Sequence, residues 1–218
     1  MRNVLCFGDS NTFGFDPAAA AAGTGMRYPF EQRWPGVLQG LLGEGWHVIE
    51  EGLCGRTTVH TDPYEPYRCG AAALPYALES HQPLDAVVIA LGTNDFKTRY
   101  GLPAADIARG FESLAGIVKT YPWGPGSRVP HIVIVAPPHL GEGVEQVVLS
   151  SFDERSAAVS REAGRWCRVI AEEQGCGFVD AALVCEPSEI DHIHLTPEGH
   201  ASLAAAIARE LAVAFPGC

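Results

Sequence analysis

Five short apolar runs rich in β-branched residues recur along the chain: NVLCF near residue 3, HVIEE near 47, DAVVIAL at 85, HIVIVAPP at 131 and GFVDA at 177. Helix-period segments separate them. A strand that is apolar on both faces must be covered on both, and strands alternating with helices are joined by crossovers that keep them parallel. The expected product is an α/β fold with one five-stranded parallel sheet and helices on either side. A chain of 218 residues, 47% hydrophobic and 19% charged, has enough apolar material to close a sizeable core, so residues 1–218 are expected to form a single domain.

Several helix limits follow from local chemistry. Ile107, Phe111, Leu114 and Val118 share one stripe, predicting an amphipathic helix over 106–121. A second is expected from about Phe152 to Gln174, stopped by Gly175. Thr196, Pro197 and Glu198 supply an N-cap, a proline at the first helical position and an early acid, so a last helix starts behind Asp191-His192-Ile193-His194 and runs to Phe215. Residues 15–32 and 136–147 fit neither period. Both follow strands and should lie at the carboxyl edge of the sheet, where open α/β proteins bind ligands; the alanine tract at 18–22 reads as a loop or short helix.

Charge and cysteines narrow the function classes. A net charge of −11 with eight histidines counted neutral disfavours a phosphate-backbone footprint and an anionic membrane surface, so neither nucleic acid nor membrane is an expected partner. The opening MRNVLCFGDS carries one arginine and an apolar run too short for a signal peptide, and no run approaches the roughly 18 apolar residues of a membrane span. A cytoplasmic location is expected. Seven cysteines (Cys6, Cys54, Cys69, Cys167, Cys176, Cys185 and Cys218) contain no C-x-x-C pair and are expected as free thiols.

The chemistry starts where the first strand ends. In FGDSNTFG, Ser10 follows the strand and opens a helix, so its hydroxyl lies at the open edge of the sheet near backbone N–H donors. Ser10 or Asp9 could equally serve only as a helix cap. Thr12 stands where a nucleophile elbow, G-x-S-x-G, needs its second glycine, which disfavours an ordinary α/β-hydrolase. A serine nucleophile needs a base, and a neutral histidine needs an acceptor to fix its tautomer. The tail DHIHLTPEGH offers both, Asp191 standing three residues before His194. His192 is a rival to His194, and the Asp-His-x-His cluster could instead hold a metal or cap a helix, although H-x-H lacks further ligands at a recognised spacing, so no metal is assigned. After the third strand Asn94 can aim its amide into the same edge or form an Asx turn. After the second, Gly55 lets a backbone N–H approach a ligand unobstructed or simply turns the chain. Four modest signals thus converge on one edge.

Taken together, these residues make the chain resemble the SGNH, or GDSL, hydrolase family: Ser10 in FGDSNTFG, Gly55 in LCGRTT, Asn94 in LGTND, and Asp191 with His194 in DHIH match its four blocks in order. RWPGVL, VIEEGLCGRTT, QPLDAVVIALGTNDFK and DHIHLTPEGH are most similar to the bacterial arylesterase and acyltransferase branch. Asn11 and Phe13 depart from it, standing where that branch has a bulkier apolar residue and a tryptophan, and Gly55 replaces an alanine. The resemblance implies a three-layer α/β/α, flavodoxin-like fold and a serine esterase acting on small or aryl carboxylic esters, with acyl transfer to alcohols within its reach. In it Ser10 would be the nucleophile, His194 the base and then acid, and Asp191 the orienting carboxylate. The backbone N–H groups of Ser10 and Gly55 and the Asn94 amide would hold the oxyanion. A carbohydrate acetylesterase and a non-catalytic flavodoxin-like binding protein are the alternatives. Asp9 and Asp95 are expected to hold loops and Arg56 to brace one. Phe13, Phe15, Tyr28, Phe30 and Trp34 lean toward an apolar pocket, with core or subunit contacts as the other possibility. A small-molecule ester and further copies of the chain are the partners this implies, with no cofactor.

Overall fold

A computed structural model describes residues 1–147 and 151–217; Cys218 lies outside them. The five apolar runs become β1 (Arg2–Gly8), β2 (Trp46–Gly52), β3 (Ala86–Ala90), β4 (His131–Ala136) and β5 (Gly177–Asp180). They form one parallel sheet in the order β2-β1-β3-β4-β5, the doubly wound arrangement of flavodoxin-like proteins. Connecting helices are α1 (Ser10–Phe13), α2 (Pro17–Ala22), α3 (Trp34–Leu42), α4 (Gly70–His81), α5 (Ala104–Thr120), α6 (Glu154–Gln174) and α7 (Pro197–Ala214). Among the described residues no helix is long and apolar enough to cross a membrane.

Strand alternation divides the core in two. Leu5, Phe7, Val87, Ile89, Ile132 and Ile134 face α4, α5 and α6, whose Leu78, Phe111, Leu114 and Cys167 complete one layer. Val4, Cys6, Val88, Val133 and Val135 point the other way, against Trp34 and Leu38 of α3 and Leu203, Ile207 and Leu211 of α7. Odd and even positions of the same strand therefore feed different layers, which explains why the central runs are apolar at successive positions rather than alternating, whereas the edge strand β2 carries His47, Glu50 and Glu51.

Helix limits follow the expected chemistry. Asp153 caps α6 by accepting from Ser156 N while Ser156 Oγ accepts from Asp153 N, and Gly175 closes the helix in the left-handed region. Thr196 caps α7 through Gly199 N, with Pro197 as its first residue and Phe215 just past its end. The α5 stripe begins two residues earlier than the periodicity indicated, behind Pro103, and the alanine tract forms α2 under an Asp16 cap. The six described cysteines are free.

Register fixes the height of the carboxyl edge. Gly8 pairs with Gly52 on one side and Ala90 on the other, so β1, β2 and β3 end level. Glycine is required there because α1 turns back onto the strand ends. A methyl group on Gly8 would lie 1.9 Å from Thr12 Oγ1 and 2.6 Å from the Ala90 carbonyl oxygen, and one on Gly52 would lie 2.1 Å from Phe13 N. Gly8→Ala is expected to cost about 1–3 kcal/mol through this overpacking, read as a lower midpoint in chemical denaturation.

Candidate active site

Level strand ends place three loops side by side. From β1, Asp9 caps α1 by accepting from Asn11 N at 2.9 Å, and Gly14, with φ of 80°, ends that helix after a single turn. Ser10 is its first residue, 5% exposed. From β2 the chain turns through Gly55, whose φ of 81° is a conformation that L side chains rarely adopt. From β3, Asn94 leaves within a short 3₁₀ turn and its amide donates to Arg56 O at 3.1 Å, which ties the third loop to the second. That bond uses one of the two amide hydrogens and leaves the other for a ligand.

The segment before α7 crosses this edge. Asp191 Oδ1 accepts from the N–H groups of Ile193 and His194, both at 3.0 Å, so the loop folds around its own carboxylate. Asp191 Oδ2 lies 2.6 Å from His194 Nδ1, and His194 Nε2 lies 2.8 Å from Ser10 Oγ. Burial works to raise the Asp191 carboxyl, but the hydrogen bond and charge of His194, together with the two backbone donors, outweigh it and hold the group below its ordinary value. An ionised Asp191 keeps the proton on Nδ1 and leaves the Nε2 lone pair facing the serine hydroxyl. Two contacts aim the imidazole: the Phe15 ring, 4.3 Å away between centroids, and the Leu195 N–H, which donates to Asn11 Oδ1 at 3.0 Å. Asn11, a departure from the arylesterase pattern, thus joins the serine loop to the histidine loop.

His192, the rival, lies elsewhere. Its φ is 61°, its carbonyl accepts from Gly141 N at 2.8 Å, and its ring packs over Gly141 and Gly143. Among the described residues no three His, Cys, Asp or Glu side chains converge as a cage for a metal ion.

Buried charges brace the edge from beneath. The Arg56 guanidinium stacks 4.2 Å from the Phe7 ring and donates through Nη1 to the carbonyls of Gly8, at 2.8 Å, and Glu51. Burial lowers it to about 10, so it stays cationic at neutral pH. Asp95 accepts from both the N–H and the hydroxyl of Thr58, binding the β2 and β3 loops together. Asp9 is raised to about 6 by burial, against the Asn11 N–H and the charge of His194.

The long-loop aromatics divide. Phe15 lines the cleft, whereas Trp34 is fully buried below α1 and donates from Nε1 to Thr12 Oγ1 at 3.3 Å, and Tyr28 is buried edge-on to His200. Those two belong to the core rather than to a pocket wall. The cleft that His194 lines holds about 560 Å³; Phe15, Pro17, Ala20, Phe152 and Ile193 contribute apolar surface to it and Glu65 and Lys97 charged groups. Nothing in the sequence pattern singled out Glu65 or Lys97, because what joins them is a contact across 32 positions of chain.

A serine hydroxyl, an imidazole and a carboxylate in line at the carboxyl edge of a parallel sheet mark a class of protein, the SGNH-type ester hydrolases. The chain belongs to the GDSL-like Lipase/Acylhydrolase family, whose model matches residues 6–202. Among solved structures, Est24, a carbohydrate acetylesterase from Sinorhizobium meliloti, is 39% identical, with 99% of this chain and 100% of that one covered and a TM-score of 0.91. The native aryl esterase of M. smegmatis is 34% identical over 98% of this chain and 99% of that one, with a TM-score of 0.87. No curated protein sequence matches.

The buried Asp95 gives a test of this bracing. Burial raises it from 3.8 to about 7 against the opposing Thr58 bonds, so between those values the folded protein keeps a proton that the unfolded chain has released. Its contribution to stability is therefore present at low pH and falls as pH rises through that window. Asp95→Asn removes the dependence: its stability relative to wild type should improve as pH rises from about 4 to about 7 in denaturation curves, and a constant difference would contradict the assignment.

Proposed function

We propose that the protein hydrolyses small or aryl carboxylic esters through an acyl-enzyme on Ser10. The observation that carries this is the unbroken line from Asp191 Oδ2 through His194 to Ser10 Oγ, with distances of 2.6 and 2.8 Å. Ser10 Oγ attacks the ester carbonyl while its proton passes to His194 Nε2. The positive imidazolium is balanced by Asp191, which also holds Nδ1–H and prevents the ring from turning. Negative charge gathers on the former carbonyl oxygen, where the N–H groups of Ser10 and Gly55 and the free amide hydrogen of Asn94 act as donors. His194 returns the proton to the alcohol oxygen as the C–O bond breaks, leaving the acyl group on Ser10. Water, activated by the same imidazole, then releases the acid; an alcohol in its place would receive the acyl group.

An aryl esterase and a carbohydrate acetylesterase among the relatives support ester cleavage with different alcohol portions. Brief exposure to a fluorophosphonate followed by intact-mass measurement tests the nucleophile. One adduct is expected on wild type and none on Ser10→Ala; a folded wild type without an adduct would refute the acyl-enzyme. Asn94→Ala should lower kcat on phenyl acetate about 100- to 1000-fold, the scale for losing one oxyanion donor, and an unchanged kcat would remove Asn94 from that role.

A further inference from the structure

The two residues between Asp191 and His194 do more than space them. His192 takes a φ of 61°, in the left-handed region that glycine enters freely and other residues enter at a cost. The chain doubles back there, so that Asp191 Oδ1 accepts from the N–H groups of both Ile193 and His194 while Oδ2 faces the His194 ring. A backbone in such a state persists only where its surroundings fix it, and here they do so on two sides. The His192 N–H donates to Ser188 O at 2.8 Å and the Ser188 N–H donates to His194 O at 2.7 Å, which closes the loop at its base. On the other side the His192 carbonyl accepts from Gly141 N, also at 2.8 Å.

Gly141 and Gly143 belong to the segment that follows β4, and the His192 ring fills the space over them. A methyl group on Gly141 would lie 3.0 Å from both Cβ and Nδ1 of His192, and its three nearest neighbours would all be atoms of that residue; one on Gly143 would lie 3.5 Å from His192 Nε2. The segment is itself fastened. Leu140 N donates to Ser160 Oγ of α6 at 3.0 Å, and Leu140 and Val144 are buried in one apolar cluster with Phe152, against which Ile193 packs. Both intervening residues thus seat the histidine loop on a fixed platform.

We propose that His192 is a positioning residue for the base: with its ring over Gly141 and Gly143 and its carbonyl on Gly141 N, it clamps the Asp191–His194 loop at the height where Nε2 meets Ser10 Oγ. The inference rests on His194 being the base of the acyl-enzyme reaction. His192 does not line the cleft and moves no proton; it acts through the backbone of its neighbours. A glycine in its place would reach the same φ without strain, but it would reach many others too and would leave the space over Gly141 unfilled. The imidazole would then spend time off the line to Ser10, and a misplacement of about 1 Å can cost about 100-fold in rate.

A double-mutant cycle on phenyl acetate turnover tests the clamp. His192→Gly should lower kcat about tenfold or more while KM stays within about twofold, the split expected when alignment rather than binding is lost. Gly141→Ala should lower kcat by a similar factor in the wild-type chain, because its methyl group displaces the ring, and by less than about twofold in His192→Gly, where no ring remains to displace. Losses that multiply, or an unchanged kcat in His192→Gly, overturn the proposal. His192→Asn, which enters the left-handed region readily and lacks the ring, carries the same test if the glycine variant unfolds. The low-field proton resonance of the 2.6 Å Asp191–His194 hydrogen bond reads the same geometry without turnover. It should broaden or vanish in folded His192→Gly, and an unaltered resonance overturns the clamp. A fluorophosphonate adduct that forms on His192→Gly as fast as on wild type also overturns the clamp and keeps the acyl-enzyme. Loss of the resonance in His192→Gly, with no adduct on wild type, keeps the clamp and removes the acyl-enzyme.

Discussion

The level ending of three parallel strands is the constraint on which the site depends. Gly8 stands between Gly52 and Ala90, and the absence of side chains at Gly8 and Gly52 lets α1 fold back directly onto the strand ends. Ser10, Gly55 and Asn94 leave the sheet two, three and four residues later, so their groups meet without any long reach. A bulkier residue at either glycine would lift α1 and carry the Ser10 hydroxyl away from His194.

Charge is used in two ways around that edge. Beneath it, Arg56 satisfies the carbonyls at the ends of β1 and β2, while Asp95 binds the loop between Arg56 and His60 to the end of β3. These groups hold the loops at fixed separation, and burial is what shifts their protonation. Above it, Asp191 is kept ionised by donors from its own loop, and the carboxylate in turn fixes the histidine tautomer. The same residue type therefore braces in one place and orients in another, according to whether its partner is a hydroxyl or an imidazole. Lys97, Glu65 and Asp62 form a further ion-paired cluster, and the first two line the cleft.

Much of the fold was legible because its signals are local. Short runs rich in apolar, β-branched residues marked all five strands, most continuously at β3 and β4, which feed both layers of the core; Gly175 and Thr196-Pro197 marked helix ends through capping chemistry. The four blocks of the site were legible for a related reason: each follows a strand or precedes a helix, and the doubly wound topology brings such positions to one edge. Less legible was the sorting of the aromatics. Trp34 and Phe15 are both loop-flanking rings in the sequence, yet one is sealed beneath α1 and the other covers His194, a difference set by how α3 and α1 pack together.

What the sequence by itself determined is the inventory and its order: a parallel α/β chain, a serine behind the first strand, and an aspartate three residues ahead of a histidine. Only the tertiary structure decided between His192 and His194, made Asn11 the link to Leu195, and set Glu65 beside Lys97. The physical reason is range. Caps, turns and periodicities act between neighbours and leave a trace in spacing, whereas Ser10 meets His194, and Asn11 meets Leu195, across 184 residues each. Such contacts exist only after the sheet has fixed the distance between its loops.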